Sequence, residues 1–501
     1  VPRTVIWPRK SVLYEINTRI WLNDIQNRLG SNITLADIPD ADLDRLKTTG
    51  YHAVWLMGIW KTSPYSRRLC ANHPGLRAEA ERILGDIRPD DLDASVYAVA
   101  DYNVDSALGG NEALSILRNR LAERDILLVL DFVPNHLAVD HPWVSDHPSR
   151  FIHATQELLD KERGGFFQPE NSQQWLAHGR DPHFPPWTDT VQLNYFESDV
   201  HDAMLGELLR IAEQCDGIRC DMAMLLLPQV FNKVWGWAAN GNETADFWKP
   251  AISAVKDQHP DFRFMAEVYW GLEGEMQKRG FDYTYDKTLY DHLVYRRTAD
   301  IHLHLSTKSA YQKKTVRFIE NHDEPRAASI FSETQRRLAA ALILTLPGMT
   351  MIHQGQEYAW QKKLPVQLRR RPDEPEDTDL MHLYEELVQI VRSPVIQEGK
   401  WEPLIVETDQ RNDVLSYQWL SVHPPESLVF IGNLTNESCE GCVQAIVPGE
   451  TRDAVSVREI LTGRITAEGG SRCIRVAVPF QLAPWGYRLL QLSLTRISHQ
   501  A

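Results

Sequence analysis

The sequence predicts an α/β chain: a closed (β/α)8 TIM barrel, interrupted by a short lid after its third strand and followed by an antiparallel β-sandwich. Three observations carry this expectation. Between residues 12 and 354, eight short apolar runs alternate with amphipathic helical stretches, the pattern of parallel strands joined by helical crossovers. Three of those runs end in an acid, at Asp221, Glu267 and Asp323, and chemistry in such barrels sits at the C-terminal strand ends. After about residue 395 the pattern changes to short alternating strands separated by turn residues. The expected division is a barrel over 1–136 and 196–395, a lid over 137–195 and a C-terminal domain over 396–501.

Taken in order, residues 12–22 (VLYEINTRIWL) read as a β-rich run, followed by a polar loop and the helical ADLDRLKTTG. Residues 52–59 give the second strand and 127–133 the third, the latter preceded by the amphipathic NEALSILRNRLAERD. Two connections exceed ordinary βα loops: 61–103, which contains the helix-like LRAEAERILGDI, and 137–195, rich in Trp, Pro, His and Phe. Long irregular insertions at a catalytic face commonly form substrate walls. The fourth and fifth strands are expected at 218–221 and 262–267, the sixth at 283–290 and the seventh at 316–321. ETQRRLAAALILTL then leads to the eighth at 351–354. DVLSYQWL, SLVFIGNL, CIRVAVPF and YRLLQLSL supply the C-terminal strands.

A length of 501 residues suggests two or three domains, and 43% apolar with 24% charged residues is ordinary for a soluble globular chain. The net charge of −15 argues against a nucleic acid or an anionic membrane as partner, whereas a neutral substrate is indifferent to it. No run approaches the roughly 20 apolar residues needed to cross a bilayer, and no basic-then-apolar leader pattern is present. Six cysteines in so long a chain do not make a disulfide framework. Cys439 and Cys442 have redox or metal spacing without a second pair, Cys473 stands alone, and a reducing cytoplasm is expected. The chain is expected to be a monomer or a homo-oligomer.

The chemistry begins at GIRCDMAM. Arg219 and Asp221 lie two residues apart on a short strand and so share a face. A guanidinium beside a carboxylate favours its ionised form, which suits a nucleophile. Alone, the pair reads more readily as a structural ion pair. Glu267 in FRFMAEVYW and Asp323 in VRFIENHDEP, each at a strand end, favour the catalytic alternative. DFVPNH, GIRCD, MAEVYW and FIENHDE fall in one order along the chain. In these motifs the sequence resembles the α-amylase superfamily of retaining glycoside hydrolases and transglycosylases, glycoside hydrolase family thirteen, across roughly residues 12–494.

The resemblance implies a carbohydrate substrate and a double displacement. Asp221 would attack the anomeric carbon, and Glu267 would act as acid and then base, its apolar flank of Phe264, Met265, Val268 and Tyr269 suiting a raised pKa. Asp323 would grip two sugar hydroxyls, with His136 and His322 bonding others, Arg219 beside the nucleophile, Tyr97 as aromatic platform and Asp101 as a further hydroxyl-binding candidate. The family often has Lys-His shortly after the nucleophile; here Met224-Leu225 stands there. Asn135 matches a calcium-binding Asn, but calcium wants six to eight oxygen ligands and no set can be assembled, so no metal and no cofactor is expected.

Arg369, Arg370 and Arg371 form either a solvated face or, with Arg370, a cap on the sugar's far hydroxyl or an anionic acceptor. Trp60, Trp143, Trp175, Trp187 and Trp270 suggest a walled pocket. The expected function is therefore a retaining α-glycosidase acting on short α-glucosides or chain ends, with possible transglycosylation. Glycosyl transfer, including a phosphorylase of the sucrose phosphorylase type, is the alternative; an endo-acting α-amylase and a non-catalytic binding relative are the remaining readings.

Overall fold

A computed structural model describes residues 6–170, 172–239, 241–408, 413–448, 454–468 and 475–495. Eight strands form the barrel: β1 (Val12–Asn17), β2 (Ala53–Met57), β3 (Leu127–Phe132), β4 (Gly217–Cys220), β5 (Arg263–Ala266), β6 (Tyr283–Tyr285), β7 (Thr315–Arg317) and β8 (Met349–His353). All neighbours are parallel, and β8 closes on β1 with Thr350 opposite Val12. Side chains alternate across each strand. Leu13, Trp55, Val129, Met265, Tyr285 and Met351 fill the barrel interior, while Tyr14, Val54, Leu128, Ile218, Phe264 and Ile352 pack outward under the helices. Because both faces are covered, these strands read as continuous apolar runs.

Several strand limits differ from the sequence expectation, each for a local reason. Residues 18–22 are not strand: helix Thr18–Leu29 starts there, capped by Asn17, whose side chain accepts from the Ile20 N–H at 3.3 Å. Thr18, Leu22 and Ile25 are buried along one face of that helix, four and three residues apart. The sixth strand stops at Tyr285 because Asp286 caps helix Lys287–Val294, accepting from the Leu289 N–H at 3.2 Å. The seventh stops at Arg317, and Asn321 then turns the chain by accepting the N–H groups of Asp323 and Glu324, both at 2.9 Å. The eighth begins earlier than expected, directly after Gly348, whose φ of 92° and tight approach to the Thr315 carbonyl exclude a side chain.

After β2 the chain runs through a hairpin of Trp60–Thr62 with Val99–Val104 and helices Pro64–Asn72 and Pro74–Leu84. The segment after β3 is held by two small antiparallel pairs, His136–Ala138 with Thr190–Gln192 and Phe166–Phe167 with Leu176–Ala177.

The C-terminal region is a six-stranded antiparallel sheet facing a three-stranded one. Val429, Ile431, Leu490 and Leu492 from the first meet Val443, Ala445, Val478 and Phe480 from the second. The larger sheet's other face packs on helix Glu333–Thr345 of the barrel: Trp419 Nε1–H donates to the Thr345 carbonyl and the Tyr417 hydroxyl meets Thr345 Oγ1, both at 2.6 Å. Cys439 and Cys442 lie on one strand, three residues apart and so on opposite faces, and no disulfide forms between them; Cys473 lies outside the described residues. Among the described residues, no helix is long and apolar enough to cross a membrane.

Candidate active site

A cavity of about 880 Å³ opens at the C-terminal ends of the barrel strands, and Tyr97, His136, Asp221, Glu267 and Asp323 all line it. Beneath it lies Arg219 of β4, with no solvent exposure. Its Nη1 meets Asp221 Oδ1 at 2.7 Å and Asp131 Oδ1 at 3.4 Å, while Nη2 meets Glu267 Oε2 at 2.7 Å. The faces of Trp55, Tyr97 and Tyr285 surround the guanidinium at 5.1, 5.3 and 5.9 Å. Arginine suits this place because it keeps its charge where a lysine would lose it, and its flat fork reaches several carboxylates at once.

One cation facing three buried acids cannot keep all of them comfortably ionised. Burial pushes Glu267 up to about 7 against the pull of Arg219, and Asp131 up to about 6. Burial lifts Asp221 as well, again opposed by Arg219, so the guanidinium does not by itself set the ionisation of the expected nucleophile. Glu267 is further fixed by two donors: the Met222 N–H reaches Oε2 at 2.6 Å and the Tyr269 hydroxyl reaches Oε1 at 2.7 Å. Met222 adopts φ 41°, ψ 43°, a left-handed conformation that a side chain resists by about 1–2 kcal/mol. That turn aims its N–H at the carboxylate.

A second charged group, His322, touches Tyr97 and Asp323 of the lining but does not itself line the cavity. His322 Nδ1–H donates to Glu15 Oε1 at 2.6 Å, and Nε2–H donates to Asp323 Oδ2 at 3.1 Å. Burial opposes a charge on this ring, but the Asp323 and Glu15 carboxylates outweigh it and carry the pKa up to about 10. Asp323 is held well below the usual carboxylate range, the His322 cation outweighing the desolvation it meets in the cavity. Its side chain is 47% exposed, the open member of the trio. The Tyr97 hydroxyl lies 2.8 Å from His322 Nε2, and the two rings stack at 28°. His136 lies beside Trp187, with ring centroids 4.9 Å apart; burial lowers its pKa to about 4, leaving it neutral at pH 7.

Two expected site residues lie elsewhere. Arg370 does not line the cavity: its Nε meets Asp91 Oδ1 at 2.6 Å, and its Nη2 meets Asp91 Oδ2 and Asp86 Oδ1, each at 2.8 Å. Those carboxylates occupy the fork expected to cap a sugar or bind an anion. Asp101 is likewise absent from the lining, and its carboxylate accepts from the backbone and side chain of Asn103 at 3.0 and 2.8 Å. Of the five tryptophans, Trp187 and Trp270 line the cavity. Trp60 is a core residue whose indole N–H donates to the Asp131 carbonyl at 2.8 Å, and Trp143 and Trp175 sit under Arg150 and Arg163 in the segment after β3.

Asn135 Oδ1 accepts from Gln192 Nε2 at 3.1 Å, and Met224 and Leu225 are buried apolar side chains. Among the described residues no cluster of His, Cys, Asp or Glu has a metal-holding arrangement. Sequence reasoning missed Glu15, whose only local signal is a charge in the otherwise apolar VLYEIN, and the hydrogen-bonding role of Tyr269, which the apolar company of Val268 disguised.

The sequence family described as alpha amylase, catalytic domain, matches residues 36–379. Alpha-amylase 3 of Dictyoglomus thermophilum is 22% identical over 388 residues, 73% of this chain and 67% of that protein. An alpha-1,4-glucan:maltose-1-phosphate maltosyltransferase of Picrophilus torridus is 27% identical over 190 residues, 37% of this chain and 24% of that one. In three dimensions the chain is similar to a maltogenic alpha-amylase of Thermotoga neapolitana, with a TM-score of 0.68 and 20% identity over 97% of this chain and 99% of that one. An alpha-amylase of Lactobacillus plantarum gives a TM-score of 0.67 at 20% identity, over 96% and 99%. The catalytic-domain match runs through more than half of the chain and through seven of the eight barrel strands, and the chain belongs to the alpha-amylase family, glycoside hydrolase family thirteen.

Proposed function

We propose that the protein is a retaining α-glycosidase acting on short α-glucosides or α-glucan chain ends by double displacement, with sugar transfer alongside hydrolysis. The observation that carries this reading is the single guanidinium of Arg219 gripping Asp221 and Glu267, each at 2.7 Å. Two acids on one fork support the close pair of retaining enzymes, where the carboxyl groups stand about 5–5.5 Å apart and no water fits between nucleophile and sugar. Asp221 attacks the anomeric carbon and the glycosidic bond breaks. Glu267, with a pKa near 7, gives its proton to the leaving oxygen. In the second half, Glu267 takes a proton from water or a sugar hydroxyl, which attacks the same carbon and frees Asp221. Asp323, held by charged His322, accepts from hydroxyls of the bound sugar, neutral His136 bonds others, and the Tyr97 ring offers a face for C–H stacking.

A second reading, glycosyl transfer as the main reaction, draws on the partial kinship with a maltosyltransferase. The net charge of −15 disfavours an anionic acceptor such as phosphate. The thiols of Cys70, Cys215, Cys220, Cys439 and Cys442, none of them in a disulfide, accord with a reducing cytoplasm. The test is incubation with maltose, maltotriose, sucrose, trehalose and insoluble starch, followed by proton NMR of the earliest product. Release of the α anomer from the short sugars is expected, and Asp221→Asn should lower turnover on the order of 10⁴-fold without loss of fold. A β anomer as first product, or full turnover by Asp221→Asn, would sink the reading.

A further inference from the structure

The loop before Tyr97 and the strap after β8 are joined at the rim of the barrel mouth. Leu92 and Leu368 form an antiparallel backbone bridge, the Asp93 N–H donates to the Gln367 carbonyl at 2.8 Å, and the Arg369 N–H donates to the Asp91 carbonyl at 3.0 Å. Leu368 is fully buried with Ala80, Ile83 and Leu92. Arg370 then locks the join, with its fork on Asp91 and a further bond to Asp86. Asp91 is itself fixed, because its Oδ2 accepts the Arg88 N–H at 2.6 Å. The bidentate geometry makes this more than a passing surface pair. On the inner side of the same join, Ser95 and Gln367 line the cavity.

The strand order β8–β1–β2 puts this clasp above β1, the sector between the β8 and β2 exits. A groove leaving the cavity in that direction would have to pass through it. We propose that the clasp of Arg370 with Asp91 and Asp86 sets the chain-length specificity of the enzyme, by walling the cavity where a longer saccharide would continue. The inference rests on the reading of the cavity as an α-glucosidase site. Arg370 acts through the strap that carries Gln367 and touches no substrate, so it is a positioning residue.

The test uses the full chain and compares kcat and KM for maltotriose and maltoheptaose. Arg370→Met should raise the heptaose-to-triose ratio of kcat/KM about ten-fold, mostly through a lower KM for the longer sugar. Arg370→Lys, which keeps a cation between the two aspartates but loses the fork, should give a ratio between those of the wild type and Arg370→Met. If Arg370→Met does not fold, Asp91→Asn loosens the same clasp at constant shape and should move the ratio in the same direction. A ratio within about two-fold of wild type in a folded variant, even with a lowered Tm, would show the clasp to be structural only and overturn the proposal. A wild-type protein inert toward both sugars would instead overturn the reading of the cavity on which the proposal rests.

Discussion

Arg219 has no solvent exposure, and its terminal nitrogens meet Asp221 and Glu267 at 2.7 Å each. In a double displacement that shared cation couples the two acids in time. When Asp221 becomes an ester its charge disappears, and Arg219 is left to favour the carboxylate form of Glu267, the form needed to deprotonate the incoming hydroxyl. The pH dependence follows from the resting state. Glu267 must carry its proton to act as acid, so with a pKa of about 7 the active fraction is lost as pH rises through 7. We expect kcat/KM on maltotriose to fall about ten-fold per pH unit above that value, and Glu267→Gln to remove this limb and lower the rate on the order of 10³-fold. A rate profile level up to pH 9 would contradict the assignment of Glu267 as acid. That Asp221, Glu267 and Asp323 meet in one cavity is legible in the sequence because each follows a short buried strand, and parallel strands bring their C-terminal ends together. Glu15 was not legible: its partner His322 is 307 residues away, and only the closed barrel makes them neighbours.

At the scale of elements, the exit from β4 shows how a local departure from the family pattern reshapes a site. Residues Ala223–Leu226 form a 3-10 turn whose side chains are all buried, and the Trp248 indole N–H closes on the Ala223 carbonyl at 2.8 Å. Apolar packing thus holds the segment where the family often has Lys-His, and the nearby Asn135 amide is engaged with Gln192. We predict that exhaustive chelation leaves activity unchanged and shifts Tm by no more than about 1 °C, because apolar packing fills the segment where the family often has Lys-His and only a metal bound to the native state would add to its stability. A large drop in Tm reversed by added calcium, read by differential scanning calorimetry, would refute this. Strands β4 and β5 were readable within a residue or two because Gly217 and the buried runs mark them. The limits of β1 and β6 were not, since caps at Asn17 and Asp286 redirect apolar residues into helices. Arg370 was misread for a related reason: its partners Asp86 and Asp91 lie some 280 residues earlier, and a run of three arginines carries no sign of where its acids are.

Across the whole molecule, the barrel and the C-terminal sheets share a core: Tyr417, Phe430 and Leu489 belong to the same apolar cluster as the helix before β8. The alternation in DVLSYQWL foretold the sheets, but not which neighbour each face would meet, since both faces of that strand are buried. Trp419 is the most telling contact. Trp419→Ala removes a buried ring and leaves the Thr345 carbonyl unpaired, so a destabilisation of about 3–5 kcal/mol is expected. Because the change is remote from the cavity, kcat on maltotriose should stay within about two-fold. An unaltered Tm in calorimetry would show that the two units do not depend on this contact. The clasp has one more consequence, for the order in which the site is completed. A chain emerging from the ribosome has all three acids once residue 323 is made, but β1 waits for its partner Met349–His353, and Asp91 waits for Arg370. A chain still short of those residues lacks both the strand that closes the barrel and the arginine that holds Asp91, so barrel and clasp can be completed only in the last third of translation.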